Sequence, residues 1–121
     1  LRDGNVRPVT LKLMAAPEIP PRKLTELGGR QPLTGVTVAN LSPALAEELG
    51  RDTWSRGVII MQVDRRTPAR RYLRAGDKIL QVNRTRINLV KDLVSALKRP
   101  VEEWRITMRR GNKTRTIRFG S

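Results

Sequence analysis

The stretch Leu73-Arg74-Ala75-Gly76-Asp77-Lys78-Ile79-Leu80-Gln81-Val82-Asn83 predicts a turn, a short strand and a second turn. Gly76 can adopt a positive φ, which would cost a residue with a Cβ about 1–2 kcal/mol. Asp77 can accept hydrogen bonds from nearby backbone N–H groups and so fix the first turn. The segment 79–82 carries the mostly apolar side chains of a buried strand, and Asn83 tolerates the left-handed conformation that ends it.

The sequence on both sides of this unit predicts further short strands and helices. Ser42, Thr67 and Asn88 are typical helix caps, Pro43 is typical of a first helical position, and Pro100 is typical of a residue that stops a helix. Leu49 is expected to share the buried face of the first helix with Leu41 and Leu45, and Trp54 is expected to pack over the sheet, with a ligand contact as its alternative. Trp104, Ile106 and Met108 alternate with polar residues and predict one buried face of a strand. The predicted strands are 36–40, 57–63, 79–82, 102–108 and 113–119, and the predicted helices are 43–50, 68–72 and 89–98. We therefore expect a mainly β fold with two or three short helices.

This order of elements resembles the PDZ domain, whose signature reads G-V-x-V-x-x-V, then P-A, then G-L-x-x-G-D-x-I-L-x-V-N-G. The resemblance covers about residues 32–121 and is greatest to PDZ domains of the bacterial HtrA/Deg family of periplasmic serine proteases. It implies a PDZ-like, partly open β-barrel or sandwich. Two positions depart from the pattern, because Tyr72 and Arg84 stand where the family usually has Gly.

The N-terminal residues repeat a pattern found at the other end of the chain. Arg2-Asp3-Gly4-Asn5 followed by Val9–Leu13 is similar to Arg109–Asn112 followed by Arg115–Phe119, the predicted last hairpin. The repeat indicates a tandem array of domains, and its alternative is a chance likeness of two common turns. The isolated strand at 9–14 is expected to pair with a free sheet edge of its own domain or of a neighbouring chain.

The chain is accordingly divided into three parts. Residues 1–14 are expected to hold the last strand of a truncated preceding PDZ domain. Residues 15–32 are rich in Pro and Gly and predict an extended linker. Residues 33–121 are expected to form the PDZ domain, which the resemblance implies is the second, C-terminal one.

The resemblance places a peptide-binding groove at the start of this domain. The family's carboxylate-binding loop maps onto Leu33-Thr34-Gly35-Val36, where convergent backbone N–H groups can hold a terminal carboxylate. The adjoining strand is then expected to accept an extended peptide as an added strand. The residues implied on this side of the groove are Leu33, Thr34, Gly35, Val36, Thr37, Val38 and Ala39.

The helix at 89–98 is implied as the opposite wall of the groove. Leu89, Leu93, Ala96 and Leu97 predict a core-facing stripe, and Val90 and Val94 lie one turn apart beside it. The peptide-binding residues implied on this wall are Val90, Val94 and Leu97. The alternative is that the two valines are only the edge of a wide core face.

Composition excludes several kinds of chemistry. The chain has no His and no Cys, so it cannot contain a Ser-His-Asp or Cys-His triad, or a zinc site built on those residues. Carboxylate-only or Lys-based chemistry stays open, but the 11 acidic residues are scattered and no pair at useful spacing lies beside a Gly-rich turn, so we expect no catalytic residue, no metal and no cofactor. The absence of Cys is compatible with an oxidising compartment, and the resemblance implies the periplasm.

The function implied by the resemblance is that of a non-catalytic, peptide-binding module of a serine endopeptidase in protein quality control. Its implied partners are protein C-termini or extended segments of misfolded envelope proteins. An assembly module that contacts other domains of the same protease oligomer is the first alternative.

Charge suggests a further alternative, binding to polyanions. The formal net charge is +14, from 25 basic and 11 acidic residues, and such a surface attracts acidic partners. The aromatic residues are few and are not interleaved with the basic ones as a base-stacking surface requires. We therefore expect weak contact with anionic membranes and no specific binding of nucleic acid.

Overall fold

The computed structural model of the protein describes residues 16–120, so the strand predicted at 9–14 lies outside the described residues. The described chain forms seven strands, two α-helices and one 3₁₀ helix. In chain order these are β1 (Thr25–Glu26), β2 (Val36–Asn40), α1 (Pro43–Glu48), β3 (Val58–Val63), the 3₁₀ helix (Pro68–Arg71), β4 (Lys78–Val82), β5 (Thr85–Arg86), α2 (Val90–Leu97), β6 (Glu103–Arg110) and β7 (Lys113–Gly120).

All strands pair antiparallel in one open sheet. The order is β1-β2-β3-β4-β6-β7, and β5 pairs with β4 beside this path. The predicted mainly β fold with short helices is confirmed. Neither α-helix of residues 16–120 is long and apolar enough to cross a membrane.

The turn at Gly76 and Asp77 is held by backbone and side-chain hydrogen bonds. Gly76 has a φ of +98°, as predicted for this position. The buried Asp77 carboxylate accepts a hydrogen bond from the backbone N–H of Arg74 at 2.9 Å. Arg110 donates two further bonds to it, both 2.8 Å long, and this contact raises the pKa of the Arg110 guanidinium. The turn before β4 is thereby tied to the end of β6.

The core lies on both sides of β2. The larger cluster packs the sheet against α2, and its fully buried members include Leu33, Val36, Val38, Leu93 and Ile106. A smaller cluster under α1 contains Ala39, Leu41, Leu45, Ala46 and Ile59. The buried strand β2 therefore contributes to both clusters, as its nearly continuous burial indicates.

The helix starts follow the sequence in part. Ser42 caps α1 as predicted, because its hydroxyl accepts from the backbone N–H of Leu45 at 3.2 Å. Thr67 precedes the 3₁₀ helix but donates its hydroxyl to the Asp64 carbonyl instead of capping. Asn88, the predicted cap of α2, is also replaced: Asp92 accepts from the backbone N–H groups of Asn88 and Leu89.

Two apolar side chains lie elsewhere than predicted. Leu49 was expected to share the buried face of α1 but is 40% exposed, because the helix ends at Glu48 and the chain turns away. Trp54 was expected to pack over the sheet and is 84% exposed, in the loop between α1 and β3.

Candidate functional site: a groove between β2 and α2

Strand β2 and helix α2 form the two walls of a groove whose end is closed by the loop 33–35. The walls are joined by Asn40, which is 5% exposed at the end of β2. Its side-chain oxygen accepts from the backbone N–H of Val90 at 2.8 Å, the first residue of α2. This bond satisfies an N–H that the helix itself cannot. Asn40 therefore sets the distance between the walls.

Most of the predicted groove residues are brought together. Five of them belong to one buried cluster, and Val94 packs against it while remaining half-buried. The five are Leu33, Val36, Val38, Val90 and Leu97. Thr34, Gly35 and Thr37 lie at the rim, where they are partly exposed. Ala39 is the exception, because its side chain packs in the cluster under α1, away from the groove.

The N–H groups of the loop are hydrogen-bonded within the chain. Thr34 donates to the Gln31 carbonyl at 3.4 Å, and Val36 donates to the Leu33 carbonyl at 3.0 Å. Gly35, with a φ of +88°, points its N–H across the groove to the Leu27 carbonyl at 2.9 Å. The Thr34 hydroxyl also bonds within the loop, to the Gln31 carbonyl at 3.0 Å. Of the three predicted carboxylate donors, Gly35 alone therefore faces the groove.

The edge of β2 that faces α2 is covered by the chain's own residues 22–27, which we call the docked segment. Thr25 lies opposite Val38 in antiparallel register. Leu27 donates to the Val36 carbonyl at 2.8 Å, and Asn40 donates to the Arg22 carbonyl at 2.8 Å. The sequence placed these residues in a linker, whereas the structure places them along the groove, with Thr25–Glu26 paired to β2 as a short strand.

Leu27 fills the end of the groove beside the loop. It is 5% exposed and belongs to the same buried cluster as Leu33, Val36 and Leu97. Its N–H and its carbonyl both bond to the residues predicted to hold a ligand's terminus. Leu27 thus stands where the last residue of a peptide ligand was expected.

Open space remains on the helix side of the docked segment. A cleft of about 510 Å³ lies between the segment and α2, lined by Thr25, Asn40, Val90 and Val94 among others. A second cleft of about 780 Å³ lies beyond Leu27, between the loop 28–32, the end of α2 and the aromatic rings of Trp104 and Phe119. The docked segment therefore fills the groove only in part.

A second surface, the outer face of β6 and β7, is strongly basic. Arg105 lies directly opposite Arg118 across the strand pair, and Arg109 lies opposite Thr114. All four side chains are exposed. Like charges in this position repel each other, so an acidic contact would relieve the strand pair.

Within residues 16–120, no group of three or more acidic, His or Cys side chains could hold a metal ion.

Of the comparisons with known proteins, the one with protein families agrees with this geometry. No curated protein matches the sequence. A protein-family model described as a PDZ domain matches residues 32–119. PDZ domains are binding modules without catalytic activity, and they generally bind peptide C-termini and protein partners. Because the match spans most of the chain and the strands, loop and helix follow the expected order, the chain belongs to the PDZ domain family.

Proposed function

We propose that the groove binds extended polypeptide segments by adding them as a strand to the edge of β2. One observation carries this proposal: the docked segment is already bound there, antiparallel to β2, with Leu27 in the end pocket. In this mode, main-chain hydrogen bonds supply affinity and pockets for alternate side chains supply specificity. The role is that of a non-catalytic recognition module.

Each wall has a separate task in this mechanism. The carbonyl of Val36 and the N–H of Asn40 bond to the main chain of the added strand. Val90, Val94 and Leu97 contact its inward side chains, and Gly35 donates to the carbonyl, or the terminal carboxylate, at the pocket end. The expected affinity is modest, because ordering an extended chain offsets much of the contact energy.

The wider setting is also a proposal. The short helix Pro43–Glu48, inserted directly after β2, supports a parent protein of the HtrA/Deg type, with this chain as its second PDZ domain. In that setting the protein works in the periplasm, in protein quality control, on C-termini or exposed segments of misfolded envelope proteins. The parent would supply the serine endopeptidase activity from another domain.

An assembly role is the second candidate, and the docked segment favours it. A groove that is filled by its own chain leaves the remaining surface to make contacts with neighbouring domains of an oligomer. Mixing the chain with a first PDZ domain of such a protease and measuring mass by light scattering tests this role. Association without any response to peptides would favour assembly over peptide recognition.

The test of peptide recognition is an NMR titration of the whole chain. The probes are a peptide with an apolar terminal residue, its C-terminal amide, and a control peptide ending in Asp. Binding should shift the amide signals of residues 33–39 and 90–97, and the Asp-ended control should not. Saturating peptide that shifts none of these signals would refute the proposal.

The basic face of β6 and β7 supports weak, charge-driven contact with anionic membranes. Binding to anionic vesicles should fall steeply as salt is raised, because exposed charges are screened within about 8 Å at physiological salt. Neutral vesicles are the control. Retention on anionic vesicles at high salt would contradict a purely electrostatic contact.

A further inference from the structure

We propose that the docked segment is a displaceable internal ligand, and that the groove prefers internal segments with a leucine-like residue and a large apolar residue two positions before it. This inference rests on the proposed function, because it assigns the ligand class of the same groove. The docked segment then competes with partner segments for the groove. Three features of the docked segment carry it.

The first feature is that a single side chain anchors the segment. Leu27 is the one fully buried residue between positions 16 and 32. Leu24 is 61% exposed, and Glu26, Gly28 and Gly29 are also exposed. Apart from the ion pair of Arg22 with Glu48, the segment is held mainly by main-chain hydrogen bonds. An extended chain in the register of residues 25–27 would make the bonds at the pocket end equally well, whereas Lys23, with a φ of +49°, is not extended. A strand with one buried anchor can be exchanged without dismantling the core.

The second feature is that the chain continues past the pocket. Leu27 is followed by Gly28 and Gly29, and a Cβ placed on either glycine would meet no atom within 4 Å, although the φ of +94° at Gly29 favours glycine there. Gly35 bonds to an ordinary peptide carbonyl at Leu27, and Thr34 and Val36 direct their N–H groups into the loop. No free carboxylate is needed for this arrangement. The groove therefore accepts internal segments of a polypeptide.

The third feature is a mismatch at Thr25. Its side chain borders the cleft of about 510 Å³ whose helix wall includes Val90 and Val94. Its hydroxyl donates to the Lys23 carbonyl of the same segment at 2.6 Å, so its polar atom makes no bond to α2. A larger apolar side chain at this position would bury its surface against the two valines. A ligand that displaces the docked segment therefore carries a leucine-like residue at the position of Leu27 and a larger apolar residue at the position of Thr25.

The experiment uses three labelled peptides and four versions of the 121-residue chain. The first peptide has the sequence of residues 17–30, the second carries Ile at the position of Thr25, and the control carries Glu at the position of Leu27. The proteins are the unchanged chain, Leu27→Glu, Arg22→Ala and Thr25→Ile. Fluorescence anisotropy measures each affinity, and circular dichroism verifies that each protein is folded.

The expected pattern has three parts. The Ile peptide should bind at least tenfold more tightly than the first peptide, and the Glu control should not bind. Leu27→Glu should bind the Ile peptide at least tenfold more tightly than the unchanged chain, because the docked segment is released. Thr25→Ile should bind it several-fold more weakly, because its own segment now fills the cleft.

Arg22→Ala keeps the test decisive if Leu27→Glu fails to fold. Arg22 ties the docked segment to α1 through an ion pair with Glu48, 3.1 Å long, and it lies outside the buried cluster. Its loss should raise affinity for the Ile peptide by a few-fold. Equal affinities in all folded proteins would overturn the inference, because they would show no competition.

The outcomes separate this inference from the proposed function. A folded, released groove that binds peptides ending in a free carboxylate but not the internal peptides would refute the ligand class and leave the proposed function standing. A folded, released groove that binds neither kind of peptide would refute both.

Discussion

Replacing Gly35 by Ala should destabilise the domain more than a comparable glycine replacement elsewhere, because two separate penalties meet at this position. Gly35 has a φ of +88°, and a Cβ built there would lie 2.4 Å from the Thr67 side-chain methyl. The positive φ costs a residue with a Cβ about 1–2 kcal/mol. Overpacking costs about 1–3 kcal/mol more. The expected loss in the free energy of unfolding is therefore about 2–5 kcal/mol.

The two penalties can be separated with a second substitution and a control. Thr67→Ser removes the methyl group but keeps the hydroxyl that donates to the Asp64 carbonyl at 2.7 Å. In a Thr67→Ser background, Gly35→Ala should cost less, about 1–2 kcal/mol for the backbone plus a smaller part for the remaining close contacts of the Cβ, at 3.2 Å with the hydroxyl of residue 67 and 3.3 Å with the Asp64 Cβ. Gly50→Ala is the matched control, since Gly50 has a φ of +69° but no atom within 4 Å of a Cβ. It too should cost about 1–2 kcal/mol.

Urea unfolding, followed by tryptophan fluorescence, gives these free energies: Trp104 is 4% exposed in the fold and reports unfolding, whereas Trp54 is already 84% exposed and should change little. The four proteins of the cycle and the control should share one slope of unfolding free energy against urea concentration. If Gly35→Ala costs the same in both backgrounds, the steric conflict with Thr67 is not the cause. If it costs no more than Gly50→Ala, the close packing of the loop against Thr67 is refuted.

Three further predictions concern the stability of the fold. Arg110→Met should cost about 2–3 kcal/mol in urea unfolding, because Asp77 keeps a single backbone donor in a buried site; a cost below about 1 kcal/mol would contradict this. Ser42→Ala should cost about 1 kcal/mol by removing the cap of α1, with an exposed Ser95→Ala as the control; equal costs would show that the cap contributes nothing. Burial, and then the charges of Arg109 and Arg51, lower the pKa of Lys78. The folded state thus disfavours its charged form, so stability should rise as the pH increases from the folded pKa towards the unfolded value, and Lys78→Met should lack this rise in thermal unfolding. A rise of the same size in Lys78→Met would refute the assignment.

The elements that local chemistry specifies could be predicted from the sequence. Gly76 and Asp77 favour a turn through their own backbone freedom and side-chain hydrogen bonding. Ser42 caps a helix because its hydroxyl accepts from a backbone N–H three residues later, and Pro43 fits the first helical position. The alternation of Trp104, Ile106 and Met108 likewise predicted the buried face of β6, which all three occupy. In each case the determining groups lie within a few residues of one another.

Strand β1 could not be predicted, because it forms by pairing with β2 and not from a pattern in its own residues. Leu24 is apolar yet points to solvent, which breaks the alternation that would reveal a strand. Asn40 was missed as a structural residue for a similar reason: its partners, Pro21 and Val90, lie 19 and 50 positions away. The predicted groove residues were brought together, but the segment that covers them is a property of the tertiary fold.

The docked segment also bears on solubility. An exposed strand edge invites pairing with other chains, and proteins counter this with short or charged outer strands. In the described part of the chain, the outermost strands of the sheet are β1, only two residues long, and β7, which carries exposed Lys113, Arg115 and Arg118. When the docked segment leaves, the apolar strand β2 becomes an outer strand. A chain that has released it without capturing a partner should therefore self-associate, so the segment works as a guard against aggregation between binding events.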